Sequence, residues 1–310
     1  MRILLHIGVE KTGTSTIQES LTLNRKNLAE YGYEYLHMEG RNEYRDLPAY
    51  CMNPSRIDNY FKESLINDYF SRQEFDNNFI RDFRSKMMNL TSSVHTVIIS
   101  SEHLSSRLKY EDEIQRLKRL LSDYSSDIDV LVYIRNQVDK AISNYSTKIK
   151  SGGSLSLDKY LVGFSEEFSN HYDELLRLWE GGFGKQSISV RLFDHREFIN
   201  GDLLDDFYHA LDSRLIQHLD YKVSPNNLSL SATGIGLARY VNKIIPKFKP
   251  GKGVSRLNRT MITLISKHVG GRKLVLSNAQ KRDLRKRFEF SNEQVRKRYF
   301  PERSELFRLK

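Results

Sequence analysis

The chain of 310 residues predicts an α/β fold, a three-layer sandwich with a central parallel sheet flanked by helices and a helix-rich C-terminal part. Three observations carry this. Short apolar runs alternate with segments of helical spacing, a glycine turn follows the first run directly, and the last third of the chain reads as helix after helix.

Residues 2 to 7, RILLHI, are short and apolar, as a buried parallel strand should be. From Thr14 to Tyr31, Ile17, Leu21 and Leu28 recur at helical spacing, so the opening reads strand, glycine loop, helix. Gly40 to Asn59 holds Pro48 and Pro54 without periodicity and reads as an irregular loop over the sheet. A helix over 72–90 leads to the strand VHTVIIS, 94–100, which ends in SSEHLS. Another helix, 110–124, precedes the strand DVLVYI, 129–134, which delivers Arg135 onto a helix over 137–150. HYDELLRLWEGGFG is a helix stopped by glycines, and SISVRLF, 187–193, is the fourth strand. Helices are expected over 202–212, 231–245 and 278–298. In a parallel sheet ligands sit at the C-terminal strand ends, which singles out the glycine loop, SSEH and the Arg135 turn.

This length suits one domain, expected over 1–310 with a basic helical part from about 231. Cys51 is the sole cysteine, which excludes an intramolecular disulfide and any multi-thiolate metal site. MRILLHI enters the first strand at once, so no signal peptide is expected, and no stretch approaches the ~18 apolar residues of a membrane span. A cytoplasmic location is the expectation. From Arg239 to Lys310 there are 21 Lys plus Arg against 5 Asp plus Glu, although the whole chain carries only +10. That part is expected to meet an anionic glycan or a membrane surface; with no dense interleaving of aromatic and basic residues, no nucleic acid is expected.

The stretch LHIGVEKTGTSTIQ, residues 5 to 18, makes the sandwich P-loop-like. Gly8 and Gly13 have the spacing of GxxxxGK[ST], but Thr14 stands where that motif has lysine, and the lysine lies inside the loop as Lys11. Backbone N–H groups in a glycine turn at a helix start form a nest for a phosphate-like anion. A small-molecule kinase using Mg-ATP is the alternative enzyme reading, and it needs a lysine at Thr14.

KTGTST resembles the 5′-phosphosulfate loop of the PAPS-dependent sulfotransferases. That resemblance implies PAPS, 3′-phosphoadenosine 5′-phosphosulfate, as donor and PAP as product, with no metal. It makes Lys11 the catalytic lysine and has Thr12, Gly13, Thr14, Ser15 and Thr16 hold the 5′-phosphosulfate. YIRNQVDKAISNY is similar to the family's 3′-phosphate motif and assigns that phosphate to Arg135 and Ser143. Fainter likenesses to bacterial carbohydrate sulfotransferases run through SVRLFD, DLLDDFYHAL, NNLSLS and FSNEQVRKRYF, where ordinary packing is the preferred reading. The acceptor implied is a hydroxyl of a carbohydrate or glycolipid. Where cytosolic members have Trp after the loop this chain has Ile17, and their late Arg-Lys-Gly segment finds only a poor counterpart in GGRK, 270–273.

A base must take the acceptor's proton, and SSEHL offers Glu102 and His103. On an extended segment they would point oppositely, so one is expected to face the acceptor. The likeness to the carbohydrate branch favours Glu102, with His103 as the other candidate. His6 is expected to be structural, and His37 and Glu39 are outside candidates.

Overall fold

The computed structural model describes residues 1–37, 43–58, 60–61, 64, 66, 68–220, 230–249 and 253–308. Glu39, part of the 40–59 stretch and the NNLS of NNLSLS lie outside them. In chain order the elements are β1 (Arg2–His6), α1 (Thr14–Leu23), α2 (Arg25–Glu30), β2 (Tyr33–Leu36), α3 (Asp46–Cys51), α4 (Tyr69–Met88) and β3 (Thr96–Ser100). There follow α5 (Glu102–Arg107), α6 (Glu111–Ser122), β4 (Asp127–Ile134), α7 (Gln137–Lys150), α8 (Leu157–Glu166), α9 (Tyr172–Phe183), β5 (Ile188–Leu192) and α10 (Leu203–Asp212). The last are α11 (Ala232–Ile244), β6 (Phe248–Lys249), β7 (Gly253–Val254), α12 (Arg256–His268) and α13 (Asn278–Tyr299).

They form two compact units. The first comprises Met1–Arg135, Tyr172–Val223 and Phe307–Lys310 and contains a five-stranded, wholly parallel sheet of order β2-β3-β1-β4-β5. Leu4, Ile98, Leu131 and Tyr133 face one side, where Ile17 and Leu21 of α1, Leu28 of α2 and Leu204, Phe207 and Leu211 of α10 cover them. The other side carries α6 and α9, which pack on each other, with α9 also against β4 and β5; Trp179 of α9 is wholly buried. Helices on both faces are what strands apolar on both faces require. β1 and β4 are neighbours whose following connections leave in opposite directions, one towards β2 and the other towards β5, so the crevice where an open parallel sheet takes its ligand lies between their C-terminal ends.

The expected 14–31 helix is broken. Asn24 turns its side-chain amide onto the carbonyls of Ser20 and Asp220, ending α1 one residue before α2 begins. The 40–59 stretch holds α3, and the sequence reading also passed over β2, α8 and α12.

The second unit comprises Asn136–His171 and Ser224–Leu306 and is mainly helical. Its core joins Val138, Ala141 and Tyr145 of α7, Leu161 and Phe164 of α8, Ile235, Ala238 and Val241 of α11, Ile262 of α12 and Leu284 and Phe288 of α13. Asn258 and Asn242, both buried, are hydrogen-bonded to each other at 2.9 Å, and both also donate to backbone carbonyls.

In the first unit Asp206 is a buried anchor. Its carboxylate accepts from Tyr133 Oη at 2.7 Å, from Arg191 at 2.6 and 2.5 Å and from the Ile199 amide at 3.2 Å. Burial alone would raise its pKa, but the bonds from Arg191 and Tyr133 outweigh it and hold the carboxyl below its ordinary value. Replacing Asp206 by Ala strands Arg191 and Tyr133, with an expected loss of about 3–5 kcal/mol in urea unfolding at neutral pH. The anchor's contribution is complete above the ordinary carboxyl pKa and fades as pH falls through the lowered one, so the stability curves of wild type and Asp206→Ala converge in acid.

Candidate active site

The loop between β1 and α1 turns by left-handed backbone at three positions, Gly8 (φ 56°), Lys11 (φ 71°) and Gly13 (φ 76°). Glycine reaches such angles freely, and lysine does so only at a cost. The loop holds itself inside. Thr12 Oγ1, fully buried, donates to the Val9 carbonyl at 2.7 Å and accepts from the Val9 amide at 3.3 Å. Gly13 lies against Phe193 and Leu203, since a Cβ there would stand 2.2 Å from Leu203 Cδ2 and 3.1 Å from Phe193 Cε2.

Arg135, one residue beyond β4, crosses the crevice. Its Nη1 donates to the Lys11 carbonyl at 2.9 Å, and its guanidinium lies 5.1 Å from the centre of the Phe193 ring. The Tyr172 hydroxyl fixes its backbone by donating to the Arg135 carbonyl at 2.7 Å. Arg135 thus reaches the carbonyl of the strained residue. In sequence SVRLFD reads as ordinary packing, whereas the structure seats Gly13 and Arg135 against the Phe193 ring.

Thr14 opens α1 and is buried. Its Oγ1 donates to Glu102 Oε2 at 2.5 Å, joining the loop to the end of β3. Thr12 and Thr14 therefore turn their hydroxyls into the protein. Ser15 is exposed and Thr16 half-buried on the first turn of α1, which has Gly13 as its N-cap, no capping side chain and no acidic residue in that first turn. Such a terminus favours negative charge. Ser143 belongs to the second unit, two turns into α7 and half-buried.

Glu102 and His103 start a helix instead of continuing an extended strand, so they diverge by one helical step and the alternation argued from sequence does not apply. His103 Nε2 lies 3.5 Å from Glu43 Oε2, while its Nδ1 is buried without a hydrogen-bond partner among the described residues. Burial, with Arg45 and Arg107 nearby, pushes its pKa down to about 2, which keeps the ring neutral and a poor proton acceptor. His6 is buried in the sheet, its Nδ1 2.7 Å from Ser100 Oγ, and burial lowers its pKa to about 3. His37 stacks on Tyr35, ring centres 5.7 Å apart.

One group beside the site escaped the sequence reading. Arg45, buried, is paired with Asp58, to which Arg107 Nε also comes within 3.3 Å. Arg45 and Asp58 stand in the stretch read as irregular, where no periodicity points to a partner. A cavity of about 550 Å³ opens in the same region, lined by Arg56, Ile57, Phe61, Tyr69 and Arg72 among others.

No family model matches this chain. Among curated proteins, an uncharacterized protein of Archaeoglobus fulgidus is 27% identical over 132 residues, 43% of this chain. The match spans 34% of that relative, about a third of its length. Among solved structures, the crystal structure of a sulfotransferase from Alicyclobacillus acidocaldarius is similar at a TM-score of 0.48, with 13% identity over 96% of each chain.

A Cβ at Gly8 would stand 2.4 Å from Thr14 Cγ2 and 3.2 Å from Glu102 Cα. Gly8→Ala is therefore expected to lower stability by about 1–3 kcal/mol, from its left-handed backbone and from this clash, as read by urea denaturation.

Proposed function

We propose that this chain is a PAPS-dependent O-sulfotransferase acting on a hydroxyl of a carbohydrate or glycolipid. The observation that carries the reading is the disposition of Thr14. In a loop built for Mg-ATP this position sends a lysine to the β- and γ-phosphates; here a buried threonine turns away to Glu102, and the lysine of the loop is Lys11. A sulfuryl group carries less charge than a γ-phosphoryl group, which suits a site of loop amides and lysine.

The donor supplies the activated sulfur. The loop amides from Lys11 to Thr16 hold its 5′-phosphosulfate at the start of α1, and Arg135 takes the 3′-phosphate. As the acceptor oxygen bonds to sulfur, the bond from sulfur to the phosphate oxygen breaks, Lys11 stabilises the charge left on that oxygen, and the acceptor's proton passes to Glu102. The hydrogen bond from Thr14 orients the Glu102 carboxylate, and the low pKa of His103 argues for Glu102 as base. Holding both ends of the nucleotide aligns the sulfur for attack.

Thermal unfolding with adenosine 3′,5′-bisphosphate tests the donor. An excess of about 100-fold over Kd should stabilise by about 2.7 kcal/mol, without added metal, and Lys11→Met and Arg135→Ala should each reduce the shift. A response to Mg-ATP alone would instead favour a kinase. For the base, Glu102→Gln should keep the bisphosphate shift while transfer falls by about 10²–10⁴-fold. Full activity in Glu102→Gln, with loss in His103→Gln, would move the role to His103.

A further inference from the structure

From residue 221 to residue 282 the chain contains 13 Lys and Arg and no Asp or Glu. This run holds α11 and α12, which pack against each other and bury Ile235, Ala238, Val241 and Ile262 in the core of the second unit. Their outward faces are not purely polar. On α11, Leu237, Tyr240 and Ile244 follow one another at three and four residues, one stripe of a helix, and Tyr240 and Ile244 are 65% and 60% exposed. On α12, Leu257 and Leu264 are exposed seven residues apart, again on one stripe. Exposed cations stand among them: Lys243 on α11, and Arg256, Arg259 and Lys267 on α12.

Cations alone would serve a soluble polyanion, and a run of exposed aliphatic and aromatic side chains adds nothing to that task. Paired with positive charge and no acidic residue to repel a negative surface, those side chains fit an interface where phosphate headgroups meet acyl chains. Among the described residues no helix is long and apolar enough to cross a membrane, so the contact would be peripheral. We infer that the outward faces of α11 and α12 dock the second unit onto an anionic lipid surface, with the apolar stripes entering the headgroup boundary and the lysines and arginines pairing with lipid phosphates. This inference is independent of the reaction proposed for the first unit.

Co-sedimentation of the full chain with vesicles tests it, using phosphatidylcholine alone and phosphatidylcholine mixed with phosphatidylglycerol, at low and near-physiological salt. Wild type should pellet with the mixed vesicles and remain in the supernatant with phosphatidylcholine. The combined variant Leu237→Ser, Tyr240→Ser, Ile244→Ser should bind the mixed vesicles about tenfold more weakly at both salt concentrations, with an unchanged circular dichroism spectrum. Leu257→Ser with Leu264→Ser is the second variant, on the other helix, with the same expectation. Failure of wild type to pellet with the mixed vesicles overturns the inference. So does undiminished binding by both serine variants, which would reduce the effect to charge attraction for any polyanion.

Discussion

Lys11 is held in left-handed backbone, which costs a lysine about 1–2 kcal/mol, and the first unit's candidate site is arranged around keeping it there. The hydrogen bond from Arg135 to the Lys11 carbonyl acts directly on the strained residue. Behind Arg135 stands Tyr172, which fixes its backbone, and beneath it lies Phe193, which also packs on Gly13. The turn is thus maintained by elements up to 180 residues away in sequence, the kind of over-determination that strained backbone at a working site requires.

A second layer supports the first. Ser100, at the end of β3, meets His6 of β1 at 2.7 Å and Gln18 of α1 at 3.3 Å, a polar chain wholly within the core beneath the loop. Both strand ends are therefore tied to the helix that begins at the loop, so Thr14 and Glu102 meet as a consequence of how β1, β3 and α1 are packed. In such an environment an unpaired polar group is costly, and the pairing favours one arrangement over looser ones.

Much of this architecture was legible in the chain because β1, β3 and the second half of β4 are short apolar runs buried in the sheet, and Lys11, Glu102 and Arg135 follow them closely; β5, at the sheet edge, buries only Ile188 and Leu192. β2 was not legible: YEYL is four residues long, lies at the sheet edge and follows a helix broken by a side-chain bond of Asn24 that periodicity cannot foresee. The bond between Thr14 and Glu102 joins residues 88 apart, and nothing in either segment announces the other. Thr12 illustrates the same limit. A hydroxyl in a glycine loop reads as a donor for a ligand, but its burial against Val9 is decided by the fold of the turn.

Trp179 is the only tryptophan in the chain, and it is sealed in the first unit beside Phe183, their ring centres 5.6 Å apart. Indole emission therefore reports on the sheet-containing unit alone, whereas far-ultraviolet dichroism is weighted by helices of both. Denaturation followed by the two signals together measures the cooperativity between the units: coincident transitions mean that the body holding Lys11 and Glu102 and the body holding Ser143 unfold as one.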